Sequence, residues 1–551
     1  MTVQPRHDPV APVLIAGAGP VGLMLAADLA WRGIASIIVD PQVEVVAHPR
    51  AISIGVRSME HFRRLGLDQK VIEAGVPRGQ ALDVVYVTRM LGREIFRFSI
   101  PSIDDLETQR EALAQQTPEI AASPYYKTWT AQAPLERVLR EHLMSQPLVD
   151  LRLGWRLDSF VETHGQIEAV IRADATDETM SLRAPYLVGC DGARSVVRTQ
   201  LGIPLEGRGT LGSALGLYFR APALRAALGS RAGVMYWPLA PGCGGTLYTI
   251  NGGDEWVFNR YFAAGEAAHV EDPVGIIKAA IGRDMEVELI SALDWQPRQL
   301  VAKSYGTERV FLAGDACHLF VPTGGLGMNT GLSDAADLAW KIEAVLKGWG
   351  GPRLLSTYES ERRPQGLRNT LEAADNYARS NDISSVAAHV EEDGMIGEAA
   401  RNEIAARLPP KIKHFAPIGV HLGYRYEGSE IIEPDGTPEP VLEPANYLPT
   451  ARPGHRAPHV WLGPNRSTLD LFGRGFVLLV FGNEDTSEME EEARKRSLPL
   501  SVARLDNAQA AKVYERRLVL VRPDGHVAWR ADEWPVNIGA LFDKIRGAEL
   551  P

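Results

Sequence analysis

The chain opens on apolar runs punctuated by glycine. Pro12–Ala16 is a short apolar run that ends in glycine, which predicts a buried parallel strand. Val21–Trp31 carries apolar residues at helical spacing and Ala35–Val39 is a second apolar strand, so the first unit reads as βαβ. Residues 81–100 alternate more loosely and read as strands leaving that core. Leu135–Met144 has an amphipathic helical pattern, and Tyr186–Gly189 is another short buried strand. From about 205 to 300 the chain is aromatic-rich and alternating, as in Leu215–Phe219, Val234–Trp237 and Trp256–Tyr261, which predicts a mostly antiparallel sheet. Val310–Ala313 returns to the first unit. Asp334–Lys347 is a strongly patterned helix, and residues 350–410 read as helical. Prolines and glycines over 428–460 predict a linker. Beyond it, the apolar strands Phe476–Phe481 and Leu518–Val521 enclose a helical stretch, the pattern of a small α/β unit.

Composition narrows the class. A chain of 551 residues exceeds a single core and predicts roughly two to four domains. A formal charge of −11 argues against a nucleic-acid partner, which requires clustered Lys and Arg. The three cysteines, Cys190, Cys243 and Cys317, are far apart and form no C-x-x-C, so neither a disulfide framework nor a cysteine zinc site is expected. That usage suits a reducing cytoplasm. The apolar stretch Ala11–Trp31 contains Asp28 and three glycines and lacks a basic leader, so it reads as neither signal peptide nor membrane span.

Chemistry enters with Gly17-Ala18-Gly19-Pro20-Val21-Gly22, between the first strand and helix. Gly17 permits the tight turn, Gly19 lets backbone approach a pyrophosphate, and Gly22 lets the helix pack on the strand. Asp40 ends the second strand, where an acid can bind a ribose 2′-OH. This pattern predicts a dinucleotide without saying which. Pro322–Gly331 is a second glycine-rich loop, followed by a helix from about Leu326 whose N–H groups can face an anionic ligand edge. Cys317 and His318 beside it read as packing or hydrogen-bonding residues. No metal site is expected.

Two further motifs carry a resemblance. Gly189-Cys190-Asp191-Gly192-Ala193-Arg194-Ser195 and Gly314-Asp315-Ala316, following the first glycine motif in this order, resemble the FAD-dependent aromatic hydroxylases of the para-hydroxybenzoate hydroxylase and phenol hydroxylase type, over residues 10–375. The resemblance implies non-covalent FAD held by Gly17, Gly19, Pro20, Gly22, Asp40, Arg50, Gln132, Asp191, Gly314 and Asp315, with Pro322, Gly325, Gly327, Met328 and Asn329 at the flavin. Asp315 would bond the ribityl chain, Asp191 would serve FAD and a visiting NADPH or NADH, and Pro322 would lie by the reactive carbon. Glu361-Arg362-Arg363-Pro364 also matches, in a structural role. Arg452–Pro458, Leu469–Phe472 and Leu520–Gly525 resemble the thioredoxin-like extension of such enzymes, here without any cysteine.

The implied fold is α/β. A Rossmann-like FAD-binding domain (10–80, 106–204, 301–375) is interleaved with an antiparallel substrate domain (81–105, 205–300). A helical segment and linker (376–445) and a thioredoxin-like domain (446–551) follow. The implied reaction is NAD(P)H- and O2-dependent hydroxylation of a small phenolic or other aromatic substrate through a flavin C4a-hydroperoxide. A Baeyer–Villiger or epoxidising enzyme on the same scaffold is the alternative, and a non-catalytic FAD-binding module the remote one. A flavin halogenase is disfavoured because none of the eleven tryptophans forms a W-x-W pair. Tyr218, Tyr236, Trp237 and Tyr248 are candidates to line the substrate pocket. Relatives of the phenol hydroxylase type place an acid just after the position of Ala51. Ile52 and Ser53 stand there instead, so no general base is assigned. No membrane partner is expected, and a homodimer is left open.

Overall fold

The computed structural model describes residues 11–46, 48–262, 266, 268–380 and 387–549. Residue 10, where the first domain is expected to begin, and 381–386 within the expected helical segment lie outside the described residues. The architecture is mixed α/β. Its first layer is a five-stranded sheet in the order Val310–Leu312, Tyr186–Gly189, Val13–Ala16, Ser36–Asp40, Val149–Leu153, with every neighbouring pair parallel. The three central strands are apolar runs buried on both faces, as a sheet covered by helices requires. The helix Pro20–Trp31 packs on this sheet with Pro20 in its first turn, where the missing N–H costs nothing.

The second layer is a seven-stranded sheet that collects distant segments. Its order is Glu288–Trp295, Ser213–Arg220, Glu255–Phe262, Thr246–Thr249, Met235–Pro238, Val84–Val87, Glu94–Phe98. All pairings are antiparallel except Met235–Pro238 on Val84–Val87. The loosely alternating strands of 81–100 thus share a sheet with the aromatic-rich stretch. Leu205–Thr210 and Arg298–Ala302 do not join it; they pair with each other and with His318–Leu319 in a separate three-stranded sheet. A further antiparallel sheet over Trp155–Ala184, absent from the sequence-based expectations, flanks the parallel layer.

The long helices Gly327–Leu346 and Thr357–Ser380 follow. Residues 428–460 hold no regular helix or strand, yet they are not a loose tether. Ile431, Ile432, Ala451 and Ala457 are buried, and Arg456 reaches Glu60. Proline and glycine remove regular backbone pairing there without removing packing. The C-terminal unit is a four-stranded mixed sheet, Leu500–Arg504, Phe476–Val480, Leu518–Val521, Val527–Ala531, with the helices Ser487–Lys495, Ala508–Tyr514 and Ile538–Ile545. Its Phe476 packs edge-on to Trp340 and Trp349 of the main body, which stack with ring centroids 6.2 Å apart. Among the described residues no helix is long and apolar enough to cross a membrane.

Candidate active site

The site begins where the first strand turns into the first helix. Gly17 has φ +104°, and a Cβ there would lie 2.3 Å from the Cys190 carbonyl oxygen. A Cβ on Gly22 would lie 1.9 Å from the Gly17 carbonyl oxygen, so both positions accept only glycine. A Cβ on Gly19 would meet nothing within 4 Å, because that residue opens onto a cavity of about 620 Å³. This volume lies within the range of roughly 300–1,000 Å³ usual for ligand pockets.

Two helix N-termini face the cavity. Gly19, Pro20 and Val21 of the first, and Gly327 and Met328 of the second, contribute to its wall. Neither helix has a side-chain cap or an acid in its first turn, so free N–H groups and positive dipole ends meet the cavity. A set of backbone donors with no competing carboxylate suits a diphosphate at one end and an electron-rich ring edge at the other. The residues present therefore fit FAD. The two helices are locked together where Val21 meets glycine: a Cβ on Gly331 would lie 2.6 Å from Val21 Cγ2, and one on Gly314 2.8 Å.

The loop Pro322–Met328 is held from behind by Asn329. Asn329 Oδ1 accepts from Gly55 N and Ser58 Oγ, both at 2.7 Å. Its Nδ2 donates to the carbonyls of Gly325 (2.7 Å) and Ser53 (3.2 Å). Segment 50–55 and the glycine loop are thus one clamped wall.

The residues expected from sequence divide by geometry. Gly19, Pro20, Arg50, Gln132, Asp315, Pro322, Gly325, Gly327 and Met328 line the cavity. Gly17, Gly22, Gly314 and Asn329 shape it from behind. The Gln132 side chain donates to Glu136 Oε1 at 2.7 Å. Asp315 is exposed to the cavity, yet the protein packed about that cavity pushes its carboxyl above the usual range, against the pull of His318 and Arg50. Two acids are turned elsewhere. Asp40 Oδ2 accepts from Ala18 N at 2.6 Å, bracing the glycine turn. Asp191 caps the helix Val196–Gln200, accepting from Val196 N (2.7 Å) and Val197 N (3.2 Å), while Cys190 and Gly192 line the cavity instead.

At the far end the wall is aromatic. Trp237 and Tyr248 line it as expected. Tyr236 does not: neighbours on a strand point to opposite faces, and its hydroxyl accepts from Gly233 N at 2.6 Å behind the sheet. Tyr218 does not reach the wall either, because its hydroxyl donates to Glu255 at 2.7 Å. Several wall residues went unforeseen: Lys127, Trp129, Asn259, Phe415 and His421. Trp237 stacks on Tyr86 at 5.6 Å and meets Phe415 edge-on at 6.2 Å.

Behind the glycine loop, His318 Nε2 and Asp334 Oδ2 lie 2.7 Å apart and Arg362 Nε donates to Asp334 Oδ1 at 2.8 Å. Cys317, His318 and Asp334 offer ligand atoms within 4.8 Å of one another. The guanidinium already neutralises the carboxylate, so the cluster is a closed ion-pair network. Within the Glu361–Pro364 motif, Glu361 and Arg362 are buried in ion pairs, Glu361 with Lys341 and Arg522 and Arg362 with Asp334, while Pro364 is exposed.

Comparison with known proteins then locates the chain. The family model "FAD binding domain" matches residues 10–373, and "Aromatic-ring hydroxylase, C-terminal" matches 450–547. The chain is 33% identical to the FAD-dependent monooxygenase apdD of Emericella nidulans, over 94% of this chain and 87% of that protein. It is 32% identical to a 4-methyl-5-nitrocatechol 5-monooxygenase from a Burkholderia species, over 97% of each. A solved structure of RebC, soaked with chromopyrrolic acid and with bound 7-carboxy-K252c, superposes with a TM-score of 0.90 at 38% identity, covering 98% of this chain and 100% of that one.

Proposed function

Because the chain belongs to the family of FAD-binding aromatic-ring hydroxylases, we propose that its cavity holds FAD at the glycine-lined end and an aromatic substrate at the aromatic end. The protein is an FAD-dependent monooxygenase that hydroxylates an aromatic compound, with NAD(P)H as reductant. One observation carries the assignment of places: two uncapped helix N-termini open into a single cavity whose wall also holds Trp237, Tyr248 and Phe415.

FAD, when bound, supplies the redox chemistry, accepting a hydride and activating O2 for transfer to the ring. The chain's own residues bind, orient and shield. The N–H groups of Gly19 and Val21 would take the diphosphate. Asp315 and Arg50, which line the cavity, would hold the chain between phosphate and ring system. The helix that starts at Gly327 opens its positive end onto the cavity, where it would favour negative charge on a ring system held there. Pro322 and Phe320 close that side against water, which limits wasteful loss of activated oxygen. Asp40 and Asp191 serve the cofactor through the loops they brace. The parallel layer is read as a Rossmann-like domain and the C-terminal unit as a cysteine-free thioredoxin-like one, which acts by packing.

The test is spectroscopic. Purified protein should carry about one FAD per chain, and anaerobic NADPH or NADH should bleach it, faster with an aromatic substrate present. Folded protein that stays colourless on reconstitution with FAD would overturn the assignment.

A further inference from the structure

Lys127 is an unusual member of the cavity wall. Thr128 and Trp129, next to it, are pinned: Ile54 N donates to Thr128 O at 2.9 Å, and Trp129 Nε1 donates to Thr249 O at 2.9 Å. The lysine therefore has a fixed root, beside the clamped segment 50–55. Its ammonium lies 5.5 Å from the Trp129 ring centroid, and Nζ donates to the Phe415 carbonyl at 2.6 Å. An ammonium has three N–H donors, so two remain after that bond. Among the described residues no carboxylate pairs with it, whereas the fully buried Lys341 and Arg522 share the Glu361 carboxylate. The titratable groups nearby are His414, His421 and Tyr126. Burial, with Lys127 and Arg368 adding to it, lowers His421 to about 4, and burial raises Tyr126 to about 12. His421 and Tyr126 are therefore neutral near pH 7, and neither supplies a counter-anion.

We propose that Lys127 is a substrate-contacting residue that holds the ionised oxygen of an acidic aromatic substrate, a phenolate or an aryl carboxylate, and so selects for such compounds. The proposal rests on the function proposed above. It also answers the missing acid after Ala51: Ile52 and Ser53 cannot take a phenol's proton, whereas a lysine across the same wall can. Burial lowers its ammonium to about 7, so a fraction is free amine near neutrality. When a phenol enters, its O–H bond breaks, an N–H bond forms at Nζ, and the pair ends as ammonium and phenolate with no change of net charge in the cavity. An electron-rich phenolate is the form that attacks an electrophilic oxygen.

The test uses the FAD-loaded enzyme and 4-nitrophenol, which is coloured only as the phenolate, with 4-nitroanisole as the uncharged control. At a pH below the free phenol's own pKa, wild type should bind 4-nitrophenol with the phenolate absorbance. Lys127→Met should lose that absorbance and bind about 10- to 100-fold more weakly, the scale of one charged hydrogen bond. Lys127→Arg should restore part of both, and 4-nitroanisole should bind alike to all three. A wild type that takes up no 4-nitrophenol, or takes it up as the neutral phenol, overturns the proposal. So does a Lys127→Met enzyme that keeps the phenolate signature. Flavin absorbance is recorded throughout: a wild type without it defeats the underlying function, whereas a flavin-loaded wild type lacking the phenolate signature defeats only the role of Lys127.

Discussion

Two regions of this molecule hold charge in opposite ways. At the seam between the main body and the C-terminal unit, buried charges are closely matched. Glu361 receives Lys341 at 2.7 Å and Arg522 at 2.6 Å, and Lys341 also reaches Asp337 at 2.8 Å. Glu60 receives Arg456 at 2.5 Å and Arg57 at 2.9 Å. In the cavity, Lys127 is half-buried and Arg50 and Asp315 are exposed to its open space, and none of them is in an ion pair among the described residues. A buried charge is costly unless paired, so a matched cluster serves to hold the fold in one arrangement, and an unmatched one waits for a ligand. The contrast separates structural from functional charge where sequence alone sees only Lys, Arg, Asp and Glu.

The hardest test of that contrast is to break the seam. Glu361→Ala strands Lys341 and Arg522 without their shared acid, and should cost about 3–5 kcal/mol in a denaturant-unfolding measurement. If the midpoint held, the seam would be no more structural than the cavity. Acid should loosen the seam next. Burial opposes ionisation of Glu60, but Arg456 and Arg57 outweigh it and hold the carboxyl below its ordinary range. Asp334 is likewise raised by burial and lowered further by Arg362 and His318. A carboxyl depressed in the folded state stabilises fully above its unfolded pKa of about 4 and loses that contribution as pH falls through the lower folded value. Thermal midpoints should therefore fall steadily below about pH 4, and a flat profile would speak against matched pairing. A smaller effect is expected of Asp315→Asn: about 10-fold weaker FAD binding by fluorescence titration, the worth of one hydrogen bond. Its flavin-free form should be no less stable than wild type, since Asp315 is exposed to the cavity and in no ion pair among the described residues. Smallest of all is the exposed pair Arg494–Glu491, where Arg494→Ala should leave the thermal midpoint unmoved.

Much of the fold was legible because its signals are local. The strand–glycine–helix opening lies within a residue or so of its expected bounds, since a buried apolar strand and an uncapped helix start leave marks on adjacent residues. The alternation in Gln166–Ala173, where every second side chain is buried, was equally local and went unread. The substrate wall was legible only in part. Tyr236 and Trp237 are neighbours, and which of them faces the cavity depends on the register of Met235–Pro238 against Val84–Val87, a pairing across about 150 residues. Lys127 is a single cation among aromatics in Tyr125–Trp129; its meaning depends on the Phe415 carbonyl, far along the chain. Asp40 and Asp191 were found by motif, but a motif marks a residue's position and leaves its hydrogen-bond partner unstated.

The contact of Val21 with Gly314 and Gly331 has a consequence for how the molecule measures its ligand. The two helix starts meet at Val21 and Gly331, so the spacing between the N-termini that would receive diphosphate and ring system is set by that contact. They behave as the jaws of a gauge: a nucleotide with a shorter or longer tether would meet one jaw and miss the other. A single methyl group at position 331 would lie 2.6 Å from Val21 Cγ2 and 2.9 Å from Gly314 Cα, and would force the jaws apart.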